Sequence, residues 1–182
     1  LLPVLNSIPS QIKNINVTMG LSLQETPISQ LVKLIHRINS RKYKRDFKYC
    51  HYFEDVVEII THPYIYQFND ILCNNILDGI KNDKIIDIRN EQLSKSSPFF
   101  ENLFDLKSSL ILKLKKTAES LFNESKNLSV LDKEYLKSFL DIIYKIDHIN
   151  LKLNSSENEF KLINQILKMI RIPFSGEPLK GL

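Results

Sequence analysis

The sequence contains no tryptophan, only four glycines and only two cysteines among its 182 residues. Scarce glycine leaves few positions for glycine-dependent turns, and this balance favours helices. Cys50 and Cys73 form no C-x-x-C pair, so the sequence predicts buried, reduced thiols rather than a disulfide framework. A zinc site is the alternative, although the spacing of its four ligands would match none of the usual ligand pairs. Those four residues are Cys50, His51, His62 and Cys73.

Long hydrophobic runs are also missing. No apolar stretch approaches the roughly 20 residues that a membrane-spanning helix requires, and the opening Leu-Leu-Pro lacks the basic region of a signal peptide. We therefore expect a cytoplasmic domain without membrane contact. With 43% hydrophobic residues, the chain is long enough for one sizeable core. Because the sequence does not begin with Met and stops at Leu182 without a tail, we expect a segment of a larger protein.

The motifs of the common enzyme classes do not occur. The four glycines form no G-x-x-x-x-G-K loop, whose backbone N–H groups would cradle ATP phosphates. A nuclease needs carboxylates and a lysine that converge on Mg²⁺. The triplets Asp105-Leu-Lys107 and Glu124-Ser-Lys126 have the D/E-x-K spacing, but each stands in a helical pattern without a preceding Pro-Asp. We expect no catalytic, cofactor-binding or metal-binding residue in this chain.

Apolar residues that recur at three- and four-residue steps predict a mainly α-helical fold, an irregular domain of about six to eight helices. The predicted helical stretches are 27–39, 53–61, 64–80 with a stop near Gly79, 98–121, 131–150, and a last helix opened by a Ser156–Glu159 capping box. Short β-type segments are predicted at the N- and C-terminal junctions, including residues 14–18, and a brief extended stretch at 85–88. The apolar faces favour core packing, with a groove for a partner as the alternative.

Positive charge is concentrated between Lys33 and Lys48, where seven basic residues accompany a single acid, Asp46. Aromatic residues are interleaved with this charge at positions 43, 47, 49 and 52. Because cations neutralise phosphates and aromatic rings stack on bases, the stretch indicates nucleic-acid contact. A solvated loop after a helix is the other interpretation. The candidate phosphate contacts are Arg41, Lys42, Lys44, Arg45 and Lys48, and the candidate stacking residues are Tyr43 and Tyr49.

Stretches near both ends of the chain resemble a known family. Leu2-Pro-Val-Leu-Asn-Ser-Ile-Pro9, followed by Ile15-Asn-Val-Thr-Met-Gly20 and Thr26-Pro27, resembles the AddB-like subunit of bacterial ATP-dependent helicase-nucleases. These proteins belong to the UvrD/RecBCD superfamily 1 and carry a PD-(D/E)XK nuclease. Ile172-Pro-Phe-Ser-Gly-Glu-Pro-Leu-Lys-Gly-Leu182 looks like the sequence that leads into motif V of the same family. Tyr52-Phe-Glu-Asp-Val-Val-Glu-Ile-Ile-Thr-His-Pro-Tyr-Ile65 is similar to the helix that opens its inserted 2B domain.

The resemblance implies a division of the chain into a remnant of motor domain 2A (1–24), a helical 2B-like accessory domain (25–172) and a return linker (173–182). It implies a non-catalytic role in a DNA-repair and recombination subunit, with DNA and an AddA-like helicase-nuclease subunit as partners. ATP, Mg²⁺ and exonuclease activity then belong to the parent protein. Residues 1–6 contain no Arg after the motif IV strand, which indicates a degenerate motor. The rival interpretation is a helical module that docks a partner subunit without touching nucleic acid.

Overall fold

The computed structural model describes residues 20–83, 85–125, 127–149 and 155–173. Within these residues the chain is mainly α-helical, as the apolar periodicity predicts, with nine α-helices and two small antiparallel sheets. The predicted strand at 14–18 and the predicted linker beyond residue 173 lie outside the described residues. None of the described helices combines the length and apolar character that crossing a membrane requires.

Five helices have 13 residues or more, and the other elements are short. The helices are α1 Pro27–Ser40, α2 Phe53–Ile60, α3 Pro63–Phe68, α4 Asp70–Asn82, α5 Asn90–Ser94, α6 Pro98–Leu103, α7 Leu110–Glu124, α8 Val130–His148 and α9 Ser156–Met169. The strands are β1 Gly20–Ser22, β2 Tyr43–Arg45, β3 Lys48–Tyr52, β4 Asp87–Arg89 and β5 Arg171–Pro173. A single 3₁₀ turn, Leu23–Glu25, joins β1 to α1.

Helix α1 lies at the centre of the packing. Pro27 occupies its first turn, where a missing N–H costs nothing, and its apolar face is buried. The buried apolar residues of α1 are Ile28, Leu31, Val32, Leu34, Ile35 and Ile38. Helices α2, α7, α8 and α9 all contact α1, so one hydrophobic core holds the helical body together.

The predicted helix over 64–80 is two helices. The chain leaves helical geometry at Asn69, whose φ is −156°, and the Asn69 side chain accepts a hydrogen bond from the Leu72 N–H at 3.0 Å. Asparagine is a strong N-cap, so it opens a second helix instead of continuing the first. The expected stop near Gly79 is wrong, because α4 continues to Asn82.

The predicted stretch over 98–121 is also divided. Helix α6 ends at Leu103, and a new helix begins after Ser109, whose hydroxyl accepts a hydrogen bond from the Leu112 N–H at 3.2 Å. A serine placed one residue before an apolar run offers the same cap that Asn69 offers, and it competes with a continuous helix. These two breaks, together with α5, which was not predicted, bring the described helices to nine.

The capping box predicted at the start of the last helix is wrong in two respects, the residue that caps the helix and the role of Glu159. Ser155, not Ser156, is the N-cap, and its hydroxyl accepts a hydrogen bond from the Asn158 N–H at 3.2 Å. Glu159 does not bend back to its own helix. Its carboxylate accepts a hydrogen bond from the Leu110 N–H at 2.7 Å and so caps α7.

The two junction strands pair with each other. Gly20 is opposite Pro173 and Ser22 is opposite Arg171 in an antiparallel register. The Leu23 N–H extends the pairing by donating to the Ile170 carbonyl at 3.1 Å. The chain therefore enters and leaves the helical body at adjacent points, and the short β-type segments predicted at the junctions are confirmed.

Candidate nucleic-acid interface

The basic segment forms a β-hairpin. Strands β2 and β3 pair antiparallel through Tyr43 and Cys50, Lys44 and Tyr49, and Arg45 and Lys48. Two residues, Asp46 and Phe47, make the turn, with φ values of 49° and 62°. Positive φ at both central positions is the signature of the tight turn whose twist matches paired strands. Strand β4, which overlaps the predicted extended stretch at 85–88, then pairs with β3.

Pairing sorts the predicted contact residues onto two faces, because directly opposed residues in an antiparallel pair share a face. Tyr43, Arg45 and Lys48 lie on one face of the hairpin, which we call the acidic face because carboxylates from β4 and α5 contact it. Lys44 and Tyr49 lie on the opposite face, which we call the open face. The sequence pattern alone had placed all of them in one undivided patch.

On the acidic face, Asp87 gathers two of the predicted contacts. The Tyr43 hydroxyl donates a hydrogen bond to Asp87, and Arg45 forms an ion pair with the same carboxylate. These two donors, Tyr43 first, lower the pKa of Asp87, while desolvation and the Asp87 carboxylate raise the pKa of Tyr43. The Tyr43 ring also lies 4.7 Å from the Tyr52 ring. Tyr43 is therefore held by protein groups rather than presented for stacking.

Two more of the predicted contacts are paired with carboxylates, one on the acidic face and one just before the hairpin. Lys48 Nζ lies 3.3 Å from Glu91 Oε2. Arg41, just before the hairpin, lies 2.9 Å from the buried carboxylate of Asp55, and its guanidinium sits 5.2 Å from the centre of the Tyr52 ring. A phosphate that contacted Arg41 or Lys48 would have to compete with these carboxylates.

The open face presents an aromatic ring with two lysines close to it. Tyr49 is about one-third exposed, and the ammonium groups of Lys44 and Lys42 lie 5.1 Å and 5.9 Å from the centre of its ring. Within the described residues, neither lysine forms an ion pair with a carboxylate. Both charges are thus available to an anionic ligand.

Phe47 stands at the tip of the hairpin with its entire side chain in solvent, at 103% of the reference area. A phenylalanine is a poor choice for a position with positive φ, where glycine or asparagine is preferred. A strained backbone position that carries a fully exposed aromatic ring is an observation on which a binding hypothesis can rest. Sequence reasoning counted Phe47 among the interleaved aromatics but did not select it for stacking.

A buried lysine lies at the base of the open face. Lys113, on α7, is only 2% exposed, and its ammonium group donates a hydrogen bond to Asn39 Oδ1 at 2.9 Å. Lys42 donates to the same oxygen at 3.1 Å. Burial, and next the charge of Lys42, lower the pKa of Lys113 to about 8. The periodicity of α7 places Lys113 among its inward residues, a signal that we did not use from the sequence.

His51 is also buried next to this site. Its Nε2 lies 2.8 Å from Asn90 Oδ1, and its ring packs on Phe104 at 5.5 Å between centroids. Burial lowers the pKa of His51, and the charges of Lys113 and Lys42 act in the same direction. The imidazole therefore links β3 to α5 through its hydrogen bond to Asn90.

The residues weighed for metal chemistry take other roles. His62 donates from Nε2 to the Pro27 carbonyl at 3.0 Å and accepts the Tyr64 N–H at Nδ1, so it caps α3. Cys50 and Cys73 are buried free thiols. Asp105, of the first D-x-K triplet, accepts the Lys107 N–H at 3.0 Å in a local turn. No group of three or more His, Cys, Asp or Glu residues in the described part of the chain is arranged to hold a metal ion.

Comparison with family models, with curated proteins and with solved structures found no match to this chain. The resemblance to AddB-like subunits therefore remains an expectation from the sequence.

Proposed function

We propose that this chain is a non-catalytic, helical accessory domain that contacts DNA through the β2–β3 hairpin. The observation that carries the proposal is the fully exposed Phe47 at the hairpin tip, adjacent to an open face with Lys44 and Tyr49. A cation beside an aromatic ring, next to a second exposed ring, suits a nucleotide strand whose phosphates need charge and whose bases need a surface to stack on.

The proposal narrows the predicted contact set. Lys44 and Tyr49 on the open face, with Phe47 at the tip, are the primary contacts. Arg45 and Lys48 are secondary, since each has a carboxylate partner. Stacking on an aromatic side chain contributes about 1 to 3 kcal/mol per base, and each neutralised phosphate adds to the salt dependence of binding.

As a part of this proposal, the parent protein is a cytoplasmic DNA-repair and recombination helicase-nuclease subunit of the AddB-like type. It works with an AddA-like subunit, and ATP and Mg²⁺ act in the parent outside this chain. The pairing of Gly20 with Pro173 supports the idea of an inserted accessory domain. Adjacent entry and exit points let a domain be inserted into another without displacing it.

The test is fluorescence anisotropy with labelled duplex, forked and single-stranded DNA over a series of salt concentrations. We expect F47A to weaken binding to forked or single-stranded DNA by about tenfold or more, which corresponds to the loss of one stacked base. We expect K44A to lower the slope of log affinity against log salt by about 0.7 for single strands, or about 0.9 for duplex.

Lys133 offers a matched control, because it is an exposed lysine on α8 and not part of the hairpin. The K133A variant removes the same charge, and we expect its DNA affinity to stay within about twofold of the wild type. Equal effects of K44A and K133A would show that Lys44 acts only through the net charge of the chain and not through a specific contact at the hairpin. Wild-type chain that binds none of the three DNAs at low salt would refute the proposal.

One observation favours the rival function of docking a partner subunit. A groove of about 440 Å³ lies between α2 and α4, with Ile86 exposed to 66% at its edge. Its lining residues are Phe53, Val57, Leu77, Asp78, Ile80, Lys81, Ile85 and Ile86. An I86D variant that keeps full DNA affinity but loses association with the rest of the parent protein would support docking at this groove.

A further inference from the structure

Two ammonium groups converge on one neutral oxygen at the base of the hairpin. Lys113 Nζ and Lys42 Nζ donate to Asn39 Oδ1 at 2.9 Å and 3.1 Å. Like charges at this separation repel each other, and an amide oxygen carries no full charge to offset them. The pair is therefore short of negative charge.

The surrounding groups do not supply that charge. Asp105 attracts Lys113 but forms no ion pair with it, and its carboxylate already accepts hydrogen bonds from Ser108 and from the Lys107 N–H. His51 faces both lysines and is disfavoured as a cation by them. A buried ammonium group with so little compensation is costly unless an anion completes the site.

We propose that Lys42, Lys113 and Asn39 form a receptor for one phosphate group. A phosphate carries between one and two negative charges and several acceptor oxygens, so it can accept from both ammonium groups at once. Lys42 is only partly buried, so the site is reached from solvent on the side of Lys42.

Lys42 also connects this receptor to the open face. Its ammonium group lies 5.9 Å from the centre of the Tyr49 ring, so a phosphate bound here places the rest of a nucleotide near that ring. The inference rests on the proposed DNA contact for the source of the phosphate, which is either the DNA backbone or free phosphate. The binding chemistry is the same for both.

The test is a titration of the isotope-labelled chain with inorganic phosphate, followed by NMR, against chloride at matched ionic strength. We expect saturable shifts at the amides of Lys113 and Asn39 and an upward shift of the Lys113 pKa. We expect K113M and K42M to weaken phosphate binding at least tenfold, and K133M to leave it within twofold.

K42M tests the receptor independently of the core variant K113M, because Lys42 is partly exposed. Shifts that do not saturate, or that are equal in K42M and K133M, would refute the receptor. Competition between phosphate and an oligonucleotide without terminal phosphates would identify the DNA backbone as the source. Saturable phosphate binding without competition would identify free phosphate.

The receptor and the proposed function fail in different measurements. F47A is expected to lose DNA affinity while inorganic phosphate still binds, because Phe47 lies at the tip and Lys113 at the base. A chain that binds phosphate but no DNA would retain the receptor and refute the DNA contact. A chain that binds DNA without saturable phosphate shifts would retain the hairpin interface and refute the receptor.

Discussion

The carboxylate of Glu159 caps a helix to which it does not belong. It lies 2.7 Å from the backbone nitrogen of Leu110, the first residue of α7, and 3.4 Å from that of Ile111. Glu159 is only 8% exposed. A helix N-terminus carries partial positive charge and unpaired N–H groups, so this single side chain fixes the start of α7 to the start of α9.

We expect E159A to lower the free energy of unfolding by about 1 to 2 kcal/mol, because it leaves a buried helix end without its acceptor. E159Q keeps an acceptor oxygen but loses the charge, and we expect about half that loss. Urea unfolding followed by circular dichroism measures both. The exposed Glu134 on α8 provides the control, with a change of less than about 0.5 kcal/mol in E134A. Equal losses in E159A and E134A would contradict the cap.

Phe47 should be a residue whose replacement raises stability and lowers binding. Its φ of 62° is strained for a bulky side chain, and its side chain is fully exposed. Relief of this strain, less the greater chain entropy of glycine, gives an expected gain of about 0.5 to 1 kcal/mol in F47G. Thermal unfolding and DNA anisotropy should move in opposite directions. A loss of stability in F47G would show that the Phe47 side chain packs against the protein instead of standing in solvent.

Lys113 should make the stability of the protein rise with pH in the alkaline range. Its pKa in the folded chain is about 8, whereas an unfolded lysine titrates near 10.4. The folded state is therefore penalised below about pH 8, and the penalty fades as pH rises toward the unfolded value. K113M removes the charge, so we expect it to be more stable than the wild type at pH 7, by about 3 kcal/mol at most.

Because tyrosines and other lysines also titrate above pH 9, the informative quantity is the difference between K113M and the wild type. We expect that difference to change little up to about pH 8 and to shrink from there to pH 10 in urea unfolding experiments. A constant difference across this range would mean that Lys113 titrates as an ordinary exposed lysine.

His62 should give a pH dependence of the same sign, but in the acid range. Burial lowers its pKa in the folded chain, while an unfolded histidine titrates near 6.5. As pH falls below about 6.5, the unfolded state takes up a proton that the folded state resists, so stability is lost down to the lowered pKa. The loss amounts to about 1.4 kcal/mol for each unit of lowering.

The variant H62N keeps an acceptor for the Tyr64 N–H but cannot be protonated. We expect the loss of stability between pH 7 and pH 5 to be smaller in H62N than in the wild type. The exposed His148 gives the comparison, and H148N should keep the full dependence. Identical pH profiles for H62N and H148N would rule out His62 as the source.

Periodicity was enough to predict the fold class and the long helices α1, α8 and α9, because each of these three packs an apolar face against the core. It did not predict the breaks at Asn69 and Ser109, since apolar residues continue at helical spacing on both sides of each cap. The cap of α7 by Glu159 depends on an approach between residues 49 positions apart, and a local pattern contains no information about that approach.

The charge pattern located the candidate interface, but it did not show which residues lie on which face of the hairpin. A run of cations and aromatics predicts a binding surface, yet only the register of β2 and β3 separates Lys44 and Tyr49 from Arg45 and its partner Asp87. The hairpin itself lacks the usual sequence signal, because Asp46 is followed by Phe47 where Asp-Gly or Asn-Gly is typical. Lys113 was missed because lysines are rarely buried, so its position in line with the apolar residues of α7 was not taken as a sign of burial.

The pairing of β1 with β5 determines how the domain responds to mechanical load. Gly20 and Pro173 form the outermost pair, and both strands lead away from the helical body at that same end. Tension between the two flanks would therefore open the hydrogen bonds one after another instead of shearing them together. Because the hydrogen bonds of the strand pair would break one at a time, we expect β1 and β5 to separate under tension before the helices around α1 unfold.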